Sequence, residues 1–277
     1  MYYSIPPAAG EAQHQGWRIG VARSRDLDHW ERIGSLEFDL PCCSRGFCAP
    51  GAIVHRNAIH LFFQSYGRGS SDAICHAVSR DGLHFIPDPE PVFSPTGDWN
   101  CGRAIDADVI LWKNRLLLFC ATRDPEMQKQ LLVLASAPAE SDFSRGTFTQ
   151  ISQAPLLSPE LPWEQQCIEA PAACIHHDKI YLFYAGAYNN SPQQIGCAVS
   201  GDGEHWQRIS DQPLLSNGSA GSWNHAESGH PFVFTDEDGR QHLFYQGNPD
   251  GGKTWYLSRR EIVWNGDVPQ LAAPLQS

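Results

Sequence analysis

Short apolar runs separated by polar turns recur along the whole chain. Four of them share one character: Ala58-Ile59-His60-Leu61-Phe62-Phe63, Arg115-Leu116-Leu117-Leu118-Phe119, Ile180-Tyr181-Leu182-Phe183-Tyr184 and Gln241-His242-Leu243-Phe244-Tyr245. Their length and their β-branched or aromatic content predict strands, and no segment of useful length carries a helical period. Each is preceded by another apolar run, at 49–54, 105–112, 170–175 and 231–234, across polar turns such as His55-Arg56-Asn57, Lys113-Asn114 and His177-Asp178-Lys179. A third strand follows and closes on a shared phrase, Ser24-Arg25-Asp26, Ser79-Arg80-Asp81-Gly82 or Ser200-Gly201-Asp202-Gly203. This is turn chemistry, with Asp bonding its local backbone and Gly accepting positive φ. A fourth, outer strand leads to the exits Pro91-Val92-Phe93-Ser94, Pro155-Leu156-Leu157-Ser158 and Pro213-Leu214-Leu215-Ser216, followed by Trp99, Trp163 and Trp223.

The unit returns with a period of roughly 55 to 64 residues, which decides the architecture. Four strands per unit, four complete or nearly complete units and one partial unit predict an all-β, five-bladed β-propeller. Its four-stranded antiparallel blades would surround a central channel, a radial arrangement that leaves few sheet edges. The blades run over about 1–40, 41–95, 96–158, 159–216 and 217–277, a single domain whose first blade reads only from its second strand onward.

With 277 residues, 42% of them hydrophobic, the chain can bury a large core, and 24 Gly and 20 Pro against 2 Met favour strands and turns. Lys and Arg number 20 against 31 Asp and Glu, a net charge of −11. That leaves no basic footprint for nucleic acid or an anionic membrane. No run approaches the roughly 18 apolar residues that span a bilayer, and the opening Met1-Tyr2-Tyr3-Ser4-Ile5-Pro6-Pro7 lacks a basic region followed by an apolar stretch, so a soluble, cytoplasmic protein is expected. The nine cysteines include no Cys-x-x-Cys pair and read as reduced thiols, not as a disulfide framework or a zinc site. No metal site is expected.

Candidate chemistry lies where the inner strands open. Aligned on the second-strand runs, the openings are Cys48-Ala49-Pro50-Gly51, Asp106-Ala107-Asp108-Val109, Glu169-Ala170-Pro171-Ala172 and Ser228-Gly229-His230-Pro231, with Glu227 one residue earlier. Asp106 and Glu169 then occupy equivalent places beside Ile105 and Ile168. Paired carboxylates at a channel mouth suit glycosyl transfer to water, one protonating the leaving oxygen and the other ionised. The residues alone equally allow two buried carboxylates that cap backbone N–H groups between blades. Trp99, Trp163 and Trp223 could offer flat faces to sugar rings or pack between blades. Arg68, Arg123, Asp124, Asn189, Asn190 and Asn248 fall in loops on the same expected face, as sugar-hydroxyl partners or as solvated loop polarity. His225 and His230 lie near the inner strand of the fifth unit, whereas His176-His177 falls on the opposite face.

These phrases, in their order, resemble glycoside hydrolase family 43, the five-bladed propeller glycosidases acting on furanosides and β-xylosides, relatives of the family 32/68 and family 130 propellers. The resemblance rests on residues 18–30, Cys48-Ala49-Pro50, Ala104-Ile105-Asp106-Ala107-Asp108-Val109, Ile168-Glu169-Ala170-Pro171 and Ser228-Gly229-His230. It implies an enzyme that removes a terminal furanose or pentose from a short oligosaccharide. In that case Asp106 tunes the acid and orients substrate, Glu169 is the general acid, and His230 positions substrate or holds a water or ion. It requires no cofactor and allows a structural channel ion such as calcium. The family's third carboxylate, on the innermost strand of the first blade, has no counterpart here, with Glu227, Asp108 and Asp39 the visible replacements. Two other outcomes stay open: a non-hydrolytic carbohydrate-binding propeller, and a family 130-like phosphorylase using Arg68, Arg103 and Arg123 as cationic groups. Sugar identity, anomeric outcome and oligomeric state are not read from the sequence.

Overall fold

The structure, a computed structural model, describes residues 1–8 and 15–273. Five antiparallel sheets follow one another along the chain. The first holds β1 (Tyr2–Ile5), β2 (Arg18–Arg23) and β3 (Glu31–Ser35). The second holds β4 (Phe47–His55), β5 (Ala58–Ser65), β6 (Ile74–Ser79) and β7 (Ile86–Pro87), and the third β8 (Ile105–Trp112), β9 (Arg115–Arg123), β10 (Gln130–Pro138) and β11 (Thr149–Gln150). The fourth holds β12 (Ile168–His176), β13 (Lys179–Gly186), β14 (Gln194–Ser200) and β15 (Gln207–Arg208), and the fifth β16 (Glu227–Thr235), β17 (Gln241–Asn248), β18 (Tyr256–Asn265) and β19 (Val268–Leu271). These are the blades of a five-bladed β-propeller. Helix among the described residues is confined to three 3-10 turns, Pro41–Cys43, Gly69–Ser71 and Pro162–Glu164.

Among the described residues four blades have the expected four strands, and the first has three. Its β2 carries the Val21-Ala22-Arg23 phrase that belongs to a third strand, so β1 takes the second place and β3 the outer one. Ser4 of β1 accepts the Ala49 N–H through Oγ at 2.9 Å, tying it to β4. In blades two to four the outer strand is only two residues long, β7 ending in a proline. Short edges of this kind offer little backbone for pairing with another chain.

Local chemistry builds each blade. The hairpins β4–β5, β8–β9 and β12–β13 turn through Arg56-Asn57, Lys113-Asn114 and His177-Asp178, both residues of each pair at positive φ, the twist that matches antiparallel strands. In the three Ser-x-Asp turns the hydrogen bonds are local. Asp202 Oδ1 accepts the N–H groups of Glu204 and His205, and His205 Nδ1–H donates to Oδ2 at 2.8 Å. Asp26 and Asp81 repeat the arrangement with His29 and His84. Donors from the histidine three residues on hold all three carboxyls well below the usual carboxylate range.

The chain falls into two compact units, Met1–Pro125 with Val133–Gln153, and Glu126–Leu132 with Ala154–Ser277. In the first, Ile19, Val21, Phe47, Leu61 and Phe63 form one core and Phe62, Val109, Leu116, Leu118 and Phe143 another. In the second, Tyr181, Phe183, Ile195, Leu243 and Tyr245 close the space between the β12–β15 and β16–β19 sheets. These runs are the strands predicted from pattern, buried because both faces of a blade meet apolar neighbours.

Candidate active site

Each inner strand opens with the same irregularity. Pairing skips a residue between Cys48 and Gly51, Ile105 and Asp108, Glu169 and Ala172, and Gly229 and Phe232. In every case the residue that begins the bulge's turn has a left-handed backbone: Ala49 at φ 49°, Asp106 at 55°, Ala170 at 48° and His230 at 46°. Bulges re-aim side chains, and strained non-glycine residues collect where surrounding structure fixes them for function. The register also corrects the sequence alignment. Asp106 is equivalent to Ala49, Ala170 and His230, whereas Glu169 is equivalent to Cys48, Ile105 and Gly229. The two carboxylates therefore use adjacent bulge positions, because aligning on the second strands cannot see the extra residue in the first.

In the first unit Asp106 is 9% exposed, and its backbone N–H donates to Gln64 Oε1 on β5. Asp108, two residues on, is also buried. Nearby, Arg103 Nε donates to the buried Asp72 carboxylate at 3.2 Å, and Asp72 accepts the Arg68 N–H. Burial pushes the Asp72 carboxyl up, against the pull of these donors. Arg103, one of the three candidate cations for a phosphate, is thus paired through Nε with a neighbouring carboxylate. Burial, followed by the Asp106 and Asp72 charges, pushes the Cys48 thiol well up, so Cys48 acts as a small apolar filler. Arg123 and Asp124 stand half-buried at the end of β9, and Asp39 is exposed in the loop after β3.

In the second unit Glu169 is 6% exposed and both its oxygens are held. Gln193 Nε2 donates to Oε1 at 2.7 Å, Gln130 Nε2 donates to Oε2, and His230 Nε2 stands 3.8 Å from Oε1. The Gln193 amide is oriented by a second donation to Ala187 O. Its Oε1 therefore faces His230 Nδ1 at 2.8 Å, while Gln246 Nε2 lies 3.0 Å from the same nitrogen. With an acceptor and a donor beside Nδ1, either imidazole tautomer finds a partner, and Nε2 can face Glu169 with or without a proton. The His230 side chain is 27% exposed, so the cluster opens to solvent on the histidine side. Gly229 leaves room for this amide: a Cβ there would fall 1.8 Å from Gln193 Oε1 and displace it.

Glu227 is fully buried and accepts from Asn190 N–H at 2.6 Å and Gln246 Nε2 at 2.8 Å. It braces the loop carrying Asn189 and Asn190, and through Gln246 it reaches His230. Burial raises the Glu227 carboxyl above its ordinary value, opposed by the His230 charge and the two donors. A carboxyl raised in the folded state binds its proton more tightly there than in the unfolded chain, so stability falls as pH climbs from the ordinary carboxylate value through the folded one. Glu227→Gln should flatten that decline, measured as denaturant midpoints across the acid-to-neutral range; an unchanged slope would assign it to other groups.

The three tryptophans, all half-buried, each make packing contacts. Trp163 stacks on Tyr184 with centroids 5.9 Å apart and covers Gly186 and Gly196, where a Cβ would fall 2.3 and 2.7 Å from its ring. Trp223 packs on Tyr245 and over Gly247, and Trp99 against the core of blades two and three. The residues that sequence reasoning passed over are the amides Gln64, Gln130, Gln193 and Gln246. Their signal was a polar residue at the end of an apolar strand, as in Phe62-Phe63-Gln64 and Gln130-Leu131-Leu132. Among the described residues, potential metal-ligating side chains gather in threes at Cys42, Cys43 and Cys75 and at His176, His177 and Asp267. Neither group is the all-oxygen set that calcium takes. No helix among the described residues is long and apolar enough to cross a membrane.

Comparison with known proteins meets this geometry at the level of the whole fold. A thermostable family-43 glycoside hydrolase superposes with a TM-score of 0.76 at 19% identity, over 95% of this chain and 87% of that one. An α-L-arabinofuranosidase from Lactobacillus brevis gives 0.73 at 16% identity, over 99% and 90%, and an endo-arabinase from Bacteroides thetaiotaomicron VPI-5482 gives 0.69 at 20%, over 90% and 87%. No curated protein matches the sequence. The family model described as glycosyl hydrolases family 43 matches residues 2–265, which takes in all four bulged inner strands with Asp106, Glu169 and His230; the chain belongs to that family and is a glycoside hydrolase.

Proposed function

We propose that the protein hydrolyses a terminal furanose or pentose from short oligosaccharides, with Glu169 as general acid, Asp106 as the carboxylate that tunes the acid and orients substrate, and His230 as a positioning residue. The observation that carries the reading is the setting of Glu169. As its proton passes to the leaving glycosidic oxygen, negative charge grows on a carboxylate already facing the Gln130 and Gln193 amide donors. Charge that appears opposite preset donors needs no reorganisation at the moment of reaction. The arabinan-acting and arabinofuranoside-acting proteins among the similar structures favour the pentose class. None of the nine cysteines is in a disulfide, although Cys42, Cys43 and Cys75 lie close together, which favours a reducing, cytoplasmic setting.

A panel of aryl furanosides, aryl β-xylosides and aryl hexopyranosides, each with and without inorganic phosphate, tests the reading. Phosphate-independent release from a pentose or furanose is expected. Preference for a hexose, or a requirement for phosphate, would overturn it. Asp106→Asn keeps a side chain that tolerates φ near 55° and removes only the charge. It should lower turnover by about two orders of magnitude with the fold intact by circular dichroism. Full activity in the Asn variant would free Asp106 of its assigned role.

A further inference from the structure

Three cysteines from two stretches of sequence meet in the first compact unit. Cys42 and Cys43 lie on the 3-10 turn between β3 and β4, and Cys75 lies on β6. The Cys42 sulfur is 3.8 Å from that of Cys43 and 3.7 Å from that of Cys75, and all three lie within 4.8 Å of one another. A disulfide would need about 2.05 Å, so these are three separate thiols. A tetrahedron of sulfurs at about 2.3 Å from a central zinc has edges of about 3.8 Å, the separation that Cys42 keeps from both of the other sulfurs. Leu36, Leu40, Phe47 and Phe63 share the surrounding core, and Cys42 and Cys43 are 7% and 6% exposed. Arg68 stands close enough to act electrostatically on both Cys42 and Cys43.

We propose that Cys42, Cys43 and Cys75 bind one thiophilic d10 cation of the zinc class through three thiolates, with a small ligand such as water in the fourth place. Binding a divalent ion releases three protons to solvent, one from each thiol, and leaves a net charge of −1 beside Arg68; nothing is oxidised or reduced. The ion clips the connection between β3 and β4 onto the third strand of the second blade. That connection joins a three-stranded blade to a complete one, where fewer ladder bonds hold the chain.

The test is a titration of the reduced, full-length protein with Cd2+, followed by displacement with Zn2+. A thiolate-to-cadmium charge-transfer band saturating at one equivalent is expected, together with a rise in thermal midpoint that grows with metal concentration. Cys42→Ser and Cys75→Ser should each weaken binding by about tenfold or more, whereas Cys101→Ser, on a half-buried cysteine outside the cluster, should leave it unchanged. Should Cys75→Ser fail to fold, X-ray absorption of the zinc-loaded wild-type protein decides, with three sulfurs expected at about 2.3 Å. Absence of stoichiometric binding, binding that survives loss of Cys42 and Cys75, or a nitrogen and oxygen shell like that of His176, His177 and Asp267 would each overturn the proposal.

Discussion

Glu169→Gln is expected to reduce hydrolysis of sugar and alkyl glycosides by about 10²–10⁴-fold, while aryl glycosides with acidic leaving groups lose far less. An alkoxide leaving group needs a proton in the transition state and a nitrophenolate does not, so the ratio between the two classes isolates the acid. The substitution is nearly isosteric, which keeps the bulge of β12 filled, but it brings an NH2 group against amide donors from Gln130 and Gln193. One of those contacts must be lost, and the side chain will loosen. A uniform fall would therefore report only this loosening. The leaving-group ratio, and loss of the limb of the pH profile that requires the protonated acid, are the readouts a packing defect would not move. Equal losses for both classes would remove Glu169 from the acid role. Gly229→Ala offers a check from outside the reacting groups: its methyl displaces Gln193, and it should lower turnover without altering the charge of the site.

Arg208→Met is expected to cost the protein about 3–5 kcal/mol of stability. Arg208 donates to Glu164 through Nε at 2.8 Å and Nη2 at 2.8 Å, and the Tyr184 hydroxyl donates to the same carboxylate at 2.7 Å. Glu164 is fully buried on the 3-10 turn that leads into β12, and Oε2 also accepts the N–H groups of Glu160 and Leu161. Removing the guanidinium leaves a buried carboxylate with only neutral donors. The methionine fills most of the volume, so the loss reads the charge more than a cavity. Denaturant unfolding measures it, and Glu164→Gln combined with Arg208→Met should recover part of the loss. A cost below about 1 kcal/mol, the size of an exposed pair, would show that solvent reaches the network.

Much of this protein is legible in its sequence. Alternation, turn residues and the repeat of a Ser-x-Asp phrase report local physics, in which hydrophobic spacing sets strand faces and Asp, Asn and Gly set the turns. That was enough to give the propeller and to single out Asp106, Glu169 and His230 as the residues to watch. The bulge was within reach too, since Ala49-Pro50, Ala170-Pro171 and His230-Pro231 mark its phase, but alignment on the second strands shifted Asp106 by one place.

Tertiary structure alone decided the rest. Which neutral amides hold Glu169 depends on residues 39 and 24 positions away, Gln130 from the neighbouring blade and Gln193 from the loop before the third strand of its own. Trp163 and Trp223 lie over glycines that leave room for a ring, a complementarity invisible along one chain. Cys42, Cys43 and Cys75 lack any metal-binding spacing, yet the turn after β3 lays two of them on the third strand of the next blade. Sequence pattern carries what a residue does to its neighbours in the chain; contacts across sheets are set by how strands register, and one inserted residue changes them all.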